Sequence, residues 1–415
     1  MSLTRYLNYK HSGVDWLGEV PSHWEIERFK NLMDLRKVTV GDTKGDYTLL
    51  SLTLQGVIAR DMVNPKGKFP AEFDTYQVVE KEDLVFCLFD VEETPRAVGV
   101  SPCTGMVTGA YTVGRAKAGI SAQYLYNFYL SRDQYKAFKM YYTGLRNVIR
   151  SETFNTIPCP VPPIDEQIGI AKFLETETAK IDNLVTEQEK LIELLKEKRQ
   201  SVIVNAVTKG LDPKVEMKDS GVEWLGQVPK HWDVVPLKYF VSMKSGEQIT
   251  SEQIKEEGAF PVYGGNGLRG YFEKYTHDGE HPLIGRQGAL CGNINYANGK
   301  FWASEHAVVV TPKKMANIFY LGELLRSMNL GQYSTSAAQP GLSVEAIGNL
   351  RIPAPIIEEQ NQIAKYLLVE SGKWESLIEA ATQSISLFQE RRSALISAAV
   401  TGQIDVRNYQ PKEVA

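Results

Sequence analysis

Cysteine is scarce in this chain: four residues in 415, Cys87, Cys103, Cys159 and Cys291, with no C-x-x-C pair. That excludes a disulfide framework and a thiolate zinc site, and predicts a reducing, cytoplasmic setting. No apolar run approaches the roughly 18 residues of a membrane span, and the N-terminus has no apolar core of a secretory signal. There is no surplus of positive charge either, since the formal net charge is -4. Nucleotide and cofactor loops are missing. The chain has no G-x-x-x-x-G-K-[ST] loop for ATP and no strand–GxGxxG–helix unit. It also lacks the Asn/Asp-Pro-Pro-aromatic tetrapeptide of amino-methyltransferases. These absences predict a chain without catalysis of its own, binding no cofactor and no metal.

The composition is otherwise that of a globular protein, with 43% hydrophobic and 23% charged residues. The length allows two or three domains. Charge is unevenly spread. Residues 161–212 carry 7 basic and 10 acidic side chains and 353–415 carry 6 and 8, whereas 1–160 carry 19 and 18. The acidic surplus therefore sits in two short blocks, and the long blocks are near neutral. A neutral block can still hold a basic groove, so its loops decide.

Self-comparison organises the chain. Ser12–Trp24 (SGVDWLGEVPSHW) and Ser220–Trp232 (SGVEWLGQVPKHW) agree at ten of thirteen positions. Ile157–Leu174 (IPCPVPPIDEQIGIAKFL) matches Leu350–Leu367 (LRIPAPIIEEQNQIAKYL). The order A, B, A′, B′ is a two-fold duplication of a large unit, with a period too long for a solenoid.

The B segments read as long helices. Pro162 and Pro163 break the chain, and Asp165 and Glu166 then place negative charge in the opening turn, where the helix dipole favours it. Apolar residues recur at 3 and 4 spacing: Ile170, Leu174, Ile181, Leu184, Leu191, Leu195 and Val202. In the second copy they are Ile363, Leu367, Trp374, Leu377, Ala381, Phe388 and Leu395. This is a coiled-coil seam, interrupted by polar Gln188, Ser384 and Arg391. A 40-residue helix of about 60 Å cannot bury its stripe alone, so the other copy is the natural partner. A pseudo-two-fold relation predicts antiparallel pairing, with one head near each end.

The A segments read as mixed α/β heads. Asp83–Phe89, Gly105–Val113, Pro282–Gly285 and Ala307–Thr311 are predicted strands, and Ala122–Tyr142 and Asn317–Leu330 predicted helices. Turn clusters lie at Asn64–Gly67 and Gly264–Gly267. The fold class is therefore mixed α+β: two α/β heads joined by two long helices in an antiparallel coiled coil, with a pseudo-two-fold internal repeat.

The doubled Trp and His motif fits a strap packed on its own domain or helix better than a docking surface. His277, His281 and Cys291 sit on a Gly-containing loop, a poor frame for a metal. Asp83, Asp90, Glu92 and Glu93 read as an acidic surface cluster. Loop cations and amides are the better candidates. In the second head they are Gly265, Asn266 and Arg269 within YGGNGLRGY, Arg286 and Gln287 within IGRQG, and Gln339. Glycine lets backbone approach a ligand, Arg grips guanine O6 and N7, and Gln pairs similarly with adenine. In the first head the comparable residues are Lys44, Arg60, Lys66, Lys68, Arg96, Arg146 and Arg150. Most such cations meet phosphate rather than base.

With these motifs assembled, the chain resembles the specificity (S) subunit of type I restriction–modification systems over roughly residues 8–405. The doubled openings, the IP-x-P…EQ…IAK entries, the long helices and the runs PVYGGNGLRGY, IGRQGALCGN and AAQPGLS carry the likeness. The resemblance implies target-recognition domains at 1–157 and 213–351. It implies helical conserved regions at 158–212 and 352–408, followed by a tail, 409–415. Each head would read half of a split, asymmetric site in double-stranded DNA. The helices would dock two methyltransferase (M) subunits. S-adenosylmethionine, ATP and Mg2+ would be used by those and the restriction (R) subunits. An S-like subunit of another anti-phage methylation system, and a protein scaffold indifferent to DNA, stay open as alternatives.

Overall fold

The structure, a computed structural model, describes residues 4–41, 47–61, 73–91, 93–94, 96–142, 147–288, 290–334 and 341–410. The chain forms two compact units, the first from residues 1–188 and 383–415, the second from 189–382. No helix among the described residues is long and apolar enough to cross a membrane.

The first unit opens with a ribbon, Tyr9–His11 against Glu19–Pro21. Its central sheet runs in the order Met33–Arg36, Thr112–Ala116, Leu84–Phe86, Val98–Val100, antiparallel throughout. Leu84, Val85 and Phe86 are fully buried, as an apolar run in a central strand should be. The helix Ala122–Gln134, capped by the Ser121 hydroxyl, packs on this sheet. Outside it stand the hairpin Leu50–Thr53/Gly56–Ala59 and the ribbon Gln77–Val79/Gly105–Val107. The pair Glu25–Arg28/Pro158–Val161 closes the head just before the long helix.

The second unit repeats this plan. Met217–Asp219 pairs with Gln227–Pro229. The central sheet runs Val241–Ser245, Ala307–Pro312, His281–Gly285, Ile294–Ala297. The helix Ile318–Ser327, capped by Asn317, packs on it. The outer layer is a four-stranded sheet, Gly267–Phe272, Phe260–Gly264, Lys300–Ala303, His277–Asp278. Asp233–Pro236/Arg351–Ala354 closes it.

Two expected elements divide. Gly105–Val113 becomes two strands joined by a turn, Gly105–Val107 and Thr112–Ala116. The helix expected to reach Tyr142 stops at Gln134. Lys136 adopts a left-handed φ of 50° and donates from Nζ to the Thr94 carbonyl, so the chain continues as a 3-10 turn over Ala137–Tyr141. The Asn64–Gly67 turn lies outside the described residues.

The long helices span Ile164–Lys209 and Ile357–Val400. In the first unit Ile170, Phe173 and Leu174 share a core with Ile396, Ala399 and Val400, and further along Asp182 meets Arg392 at 2.8 Å. One helix ascends as the other descends, so the pairing is antiparallel. In the second unit Ile203, Ala206 and Val207 share a core with Ile363, Ala364 and Leu367, and Arg199 meets Glu375 at 3.3 Å. This pair too is antiparallel.

The apolar seam differs from the expected one at three places, and the expected polar seam position Arg391 is exposed while Arg392 beside it is half-buried. Leu184, Leu191 and Leu377 are exposed at 46%, 41% and 51%. Their neighbours Val185, Ile192 and Ile378 are half-buried instead. Steps of 4 and 3 from Ile181 run through Val185, Gln188, Ile192, Leu195, Arg199, Val202 and Ala206. A residue one place earlier is turned by about 100°, toward solvent. Ile170, Leu174, Ile181, Ile363, Leu367 and Ala381 are buried, and Leu195, Trp374, Phe388 and Leu395 half-buried.

Candidate nucleic-acid interface

In each unit a glutamate at the start of the long helix anchors the strap. Glu166 accepts hydrogen bonds from Trp24 Nε1 (3.0 Å) and the Tyr6 hydroxyl, and its other oxygen meets His23 Nε2 at 2.8 Å. Glu359 meets Trp232 Nε1 and His231 Nε2, both at 2.9 Å. The following glutamine does the same for the head. Gln167 Oε1 accepts from the Ser121 N–H, and Gln360 Oε1 from the Asn317 N–H, each at the cap of the head helix. The doubled motif is thus a strap on its own helix, as its indoles suggested.

Three loops of the second head meet at one end of its central sheet. They are the Gly264–Gly267 turn, the segment following His281–Gly285, and the residues preceding Ala307–Pro312. They enclose a cavity of about 570 Å³ lined by Gly265, Asn266, Gly267, Leu268, Arg269, Gln287, Gly288, Leu290 and His306. Glycine is required where the backbones touch: a Cβ on Gly285 would stand 2.3 Å from the Gly265 carbonyl oxygen. The Arg286 N–H donates to the His306 carbonyl (2.8 Å), tying two of the loops together. In the cavity His306 Nδ1 faces Gln287 Oε1 at 3.1 Å, and Asn293 Nδ2 donates to Asn266 Oδ1 at 3.3 Å.

Gly265, Asn266, Arg269 and Gln287 are therefore brought together. Arg286 is adjacent, but its guanidinium turns to Ser245 Oγ (3.2 Å) and does not line the wall. Gln339 lies outside the described residues. His306, Leu268 and Leu290 complete the wall without having been singled out by the sequence. His306 had one legible signal, its place just before the apolar run AVVV.

The first head has a cavity of about 550 Å³ at the topologically equivalent place. The Thr53–Gly56 turn, the segment after Leu84–Phe86 and the residue before Thr112–Ala116 form it. Leu52, Thr53, Leu54, Gln55, Ile58, Cys87, Thr94, Arg96 and Tyr111 line it. Arg96 Nη1 donates to the Tyr126 hydroxyl (3.0 Å). Burial pushes the Cys87 thiol and the Tyr111 phenol up, so both stay neutral and Tyr111 keeps its hydrogen to donate. Arg60 follows the hairpin's second strand and Arg150 precedes the short helix Ser151–Phe154; neither lines this cavity. Lys44, Lys66, Lys68 and Arg146 lie outside the described residues. Thr53 and Gln55 were passed over because a hairpin tip has no periodic signal, and Tyr111 because it falls within the expected strand Gly105–Val113.

The expected acidic surface cluster is different in kind. Asp83 is fully buried and takes hydrogen bonds from Arg115 Nε (2.8 Å), Arg36 Nη1 (3.3 Å) and the Glu80 N–H. Its role is structural. Asp90 and Glu93 share a turn, and Glu92 lies outside the described residues. His277 stacks on Phe301, and burial lowers its pKa. The Cys291 thiol donates to the Arg286 carbonyl. Among the described residues no group of three or more His, Cys, Asp or Glu could hold a metal ion.

With this geometry in hand, comparison with known proteins is informative. Residues 229–369 match the family described as type I restriction modification DNA specificity domain. The chain is similar to the EcoprrI type I restriction enzyme specificity subunit of Escherichia coli, 44% identical over 147 residues, or 34% of this chain and 36% of that subunit. The match thus spans about a third of that relative's length. Over 445 residues, covering 96% of this chain and 97% of the relative, it is 24% identical to the putative MjaX specificity subunit of Methanocaldococcus jannaschii. In fold it resembles a solved chain from work on complex assembly and conformational transition of the type I R-M system. The TM-score is 0.70 at 16% identity, covering 92% of this chain and 98% of that one. In its duplicated strap and helix entry, its repeated head topology and these likenesses, the chain is similar to the specificity subunits of type I restriction–modification systems.

Proposed function

We propose that this chain is the sequence-reading, non-catalytic subunit of a type I restriction–modification complex. Each head reads one half of a bipartite, asymmetric site in double-stranded DNA, and the long helices dock methyltransferase subunits. Methylation with S-adenosylmethionine, and cleavage with ATP and Mg2+, belong to the methyltransferase and restriction partners. The observation that carries this reading is the pair of loop-built cavities. They occupy the same topological place on a duplicated scaffold, yet their walls differ. A duplicated frame with two unlike reading surfaces suits a target with two unlike halves. Bases are read by side chains at such loop tips, while flanking cations meet phosphate and fix the register.

Exchange of residues 1–157 for the equivalent head of a relative tests this, with the chain expressed beside a methyltransferase partner. Methylated adenines are then mapped across the genome. One half-site should change and the other stay the same. A change in both halves would overturn independent reading by the heads, and methylation by the purified chain alone would overturn the non-catalytic assignment.

A further inference from the structure

The two carboxamides of the second head's cavity are both turned the same way. Gln287 Oε1 lies 3.1 Å from His306 Nδ1, and Asn266 Oδ1 lies 3.3 Å from Asn293 Nδ2. Both ring nitrogens of His306 face oxygens, Nδ1 that of Gln287 and Nε2 that of Glu305 at 3.3 Å, so both contacts are made when each nitrogen carries a hydrogen, and Nδ1 then donates to Gln287. Each amide oxygen is thus engaged from within the protein, and each amide turns its NH2 group outward. Arg269, exposed on the same wall, adds a guanidinium that can only donate.

We propose that His306 is a positioning residue that fixes Gln287 as a hydrogen-bond donor, so that this cavity selects a base edge made of acceptors. In the major groove that edge is guanine, with N7 and O6 side by side. A glutamine free at both ends of its amide pairs with adenine, donating to N7 and accepting from N6. With Oε1 accepting from His306, one of its two lone pairs is used and the amide is held with its NH2 toward the cavity, so adenine loses its advantage. The inference rests on the proposed DNA-reading function and narrows it to one base class in one half-site.

The test uses the full chain assembled with its methyltransferase partner and a library of randomised duplexes, whose bound fraction is sequenced. The wild-type complex should select a second half-site with a guanine that depends on Gln287. Replacing that guanine by 7-deazaguanine, which lacks the N7 acceptor, should weaken binding about tenfold, within the range for one base contact. His306→Ala should relax preference at that same position, admitting adenine, and leave the first half-site unchanged. His306→Asn, which keeps a donor toward Gln287, should restore the preference. Gln287→Glu, which has acceptors only, should shift the preference toward cytosine, whose N4 donates. The unchanged first half-site shows in every variant that the complex is folded. If the wild type selects no sequence, the DNA-reading function itself fails. If it selects a half-site that His306→Ala and Gln287→Glu leave untouched, or one read as adenine, only the present inference is overturned.

Discussion

The two heads share a frame and differ at the tips. In both, a Trp and a His of the strap grip the glutamate that opens a long helix, and the next glutamine caps the head helix through its backbone. In both, the central sheet has the same strand order. The cavities differ: Asn266, Arg269, Gln287 and His306 line one, Thr53, Gln55, Cys87, Arg96 and Tyr111 the other. What holds the frame to the helix is duplicated, and what lines the cavities is not.

The frames are not equal in energy, and the largest expected effect lies there. Glu166 is buried and serves two buried donors, Trp24 and Tyr6, besides His23. Glu359 is half-buried and serves one buried donor, Trp232, with the exposed His231. A buried donor left unpaired costs about 1–3 kcal/mol. Glu166→Ala should therefore destabilise the first unit by about 3–5 kcal/mol, and Glu359→Ala the second by about 1–3 kcal/mol. Urea unfolding followed by limited proteolysis and peptide mapping reads each unit separately. Equal losses would mean that the two straps are equivalent after all.

The next contrast is along the helices. Ile192→Ala in the seam should cost about 1–2 kcal/mol, while Leu191→Ala beside it should stay within about 0.5 kcal/mol. Val185→Ala against Leu184→Ala is the same comparison in the first unit. Thermal unfolding of the four variants checks it, and a larger loss at the leucines would restore the register expected from the sequence.

That register shows how far the sequence could be read. The duplication, the helices and their antiparallel pairing were legible because they rest on repetition over many residues. The seam was misplaced by one residue in three places because leucine is the more conspicuous side chain, and Leu184–Val185, Leu191–Ile192 and Leu377–Ile378 each offer an apolar pair. Continuous 4 and 3 steps, not residue size, decide between them. The cavities were half legible. Gly265, Asn266, Arg269 and Gln287 lie in glycine-rich runs that announce loops. His306 stands 19 positions from its partner Gln287, and only the sheet register brings the two together. Asp83 was misread as surface because a buried carboxylate cannot be told from an exposed one until Arg36 and Arg115 are seen to close on it.

A smaller effect concerns the ion pairs Asp182–Arg392 and Arg199–Glu375, which occupy matching positions of the repeat. Both are partly exposed, so each should contribute no more than about 1 kcal/mol. Asp182→Asn and Glu375→Gln should lower stability by similar, small amounts that shrink as salt is raised. A large loss in one unit alone would show that the pair there fixes the helix register as well.

The last contrast is in acid response. In the second unit burial holds His277 below its ordinary value of 6.5. The unfolded chain then binds more protons than the folded one once the pH falls below about 6.5, so stability declines from there until the folded value is passed. In the first unit hydrogen bonds from Arg115 and Arg36 hold Glu80 below its ordinary 4.5, and Arg407 does the same for Asp405 below 3.8. Their contribution is intact above those values and is lost only as the pH falls through the lower folded ones. Asp133, pushed up by burial, acts in the opposite sense and softens the loss. The second unit should therefore begin to loosen in mild acid while the first holds, and the first should follow only below about pH 4.5. Urea midpoints of the two units, measured by proteolysis between pH 7 and 4, give the order. His277→Gln should flatten the early decline. If the first unit loosens first, or His277→Gln changes nothing, the difference in acid response does not come from His277.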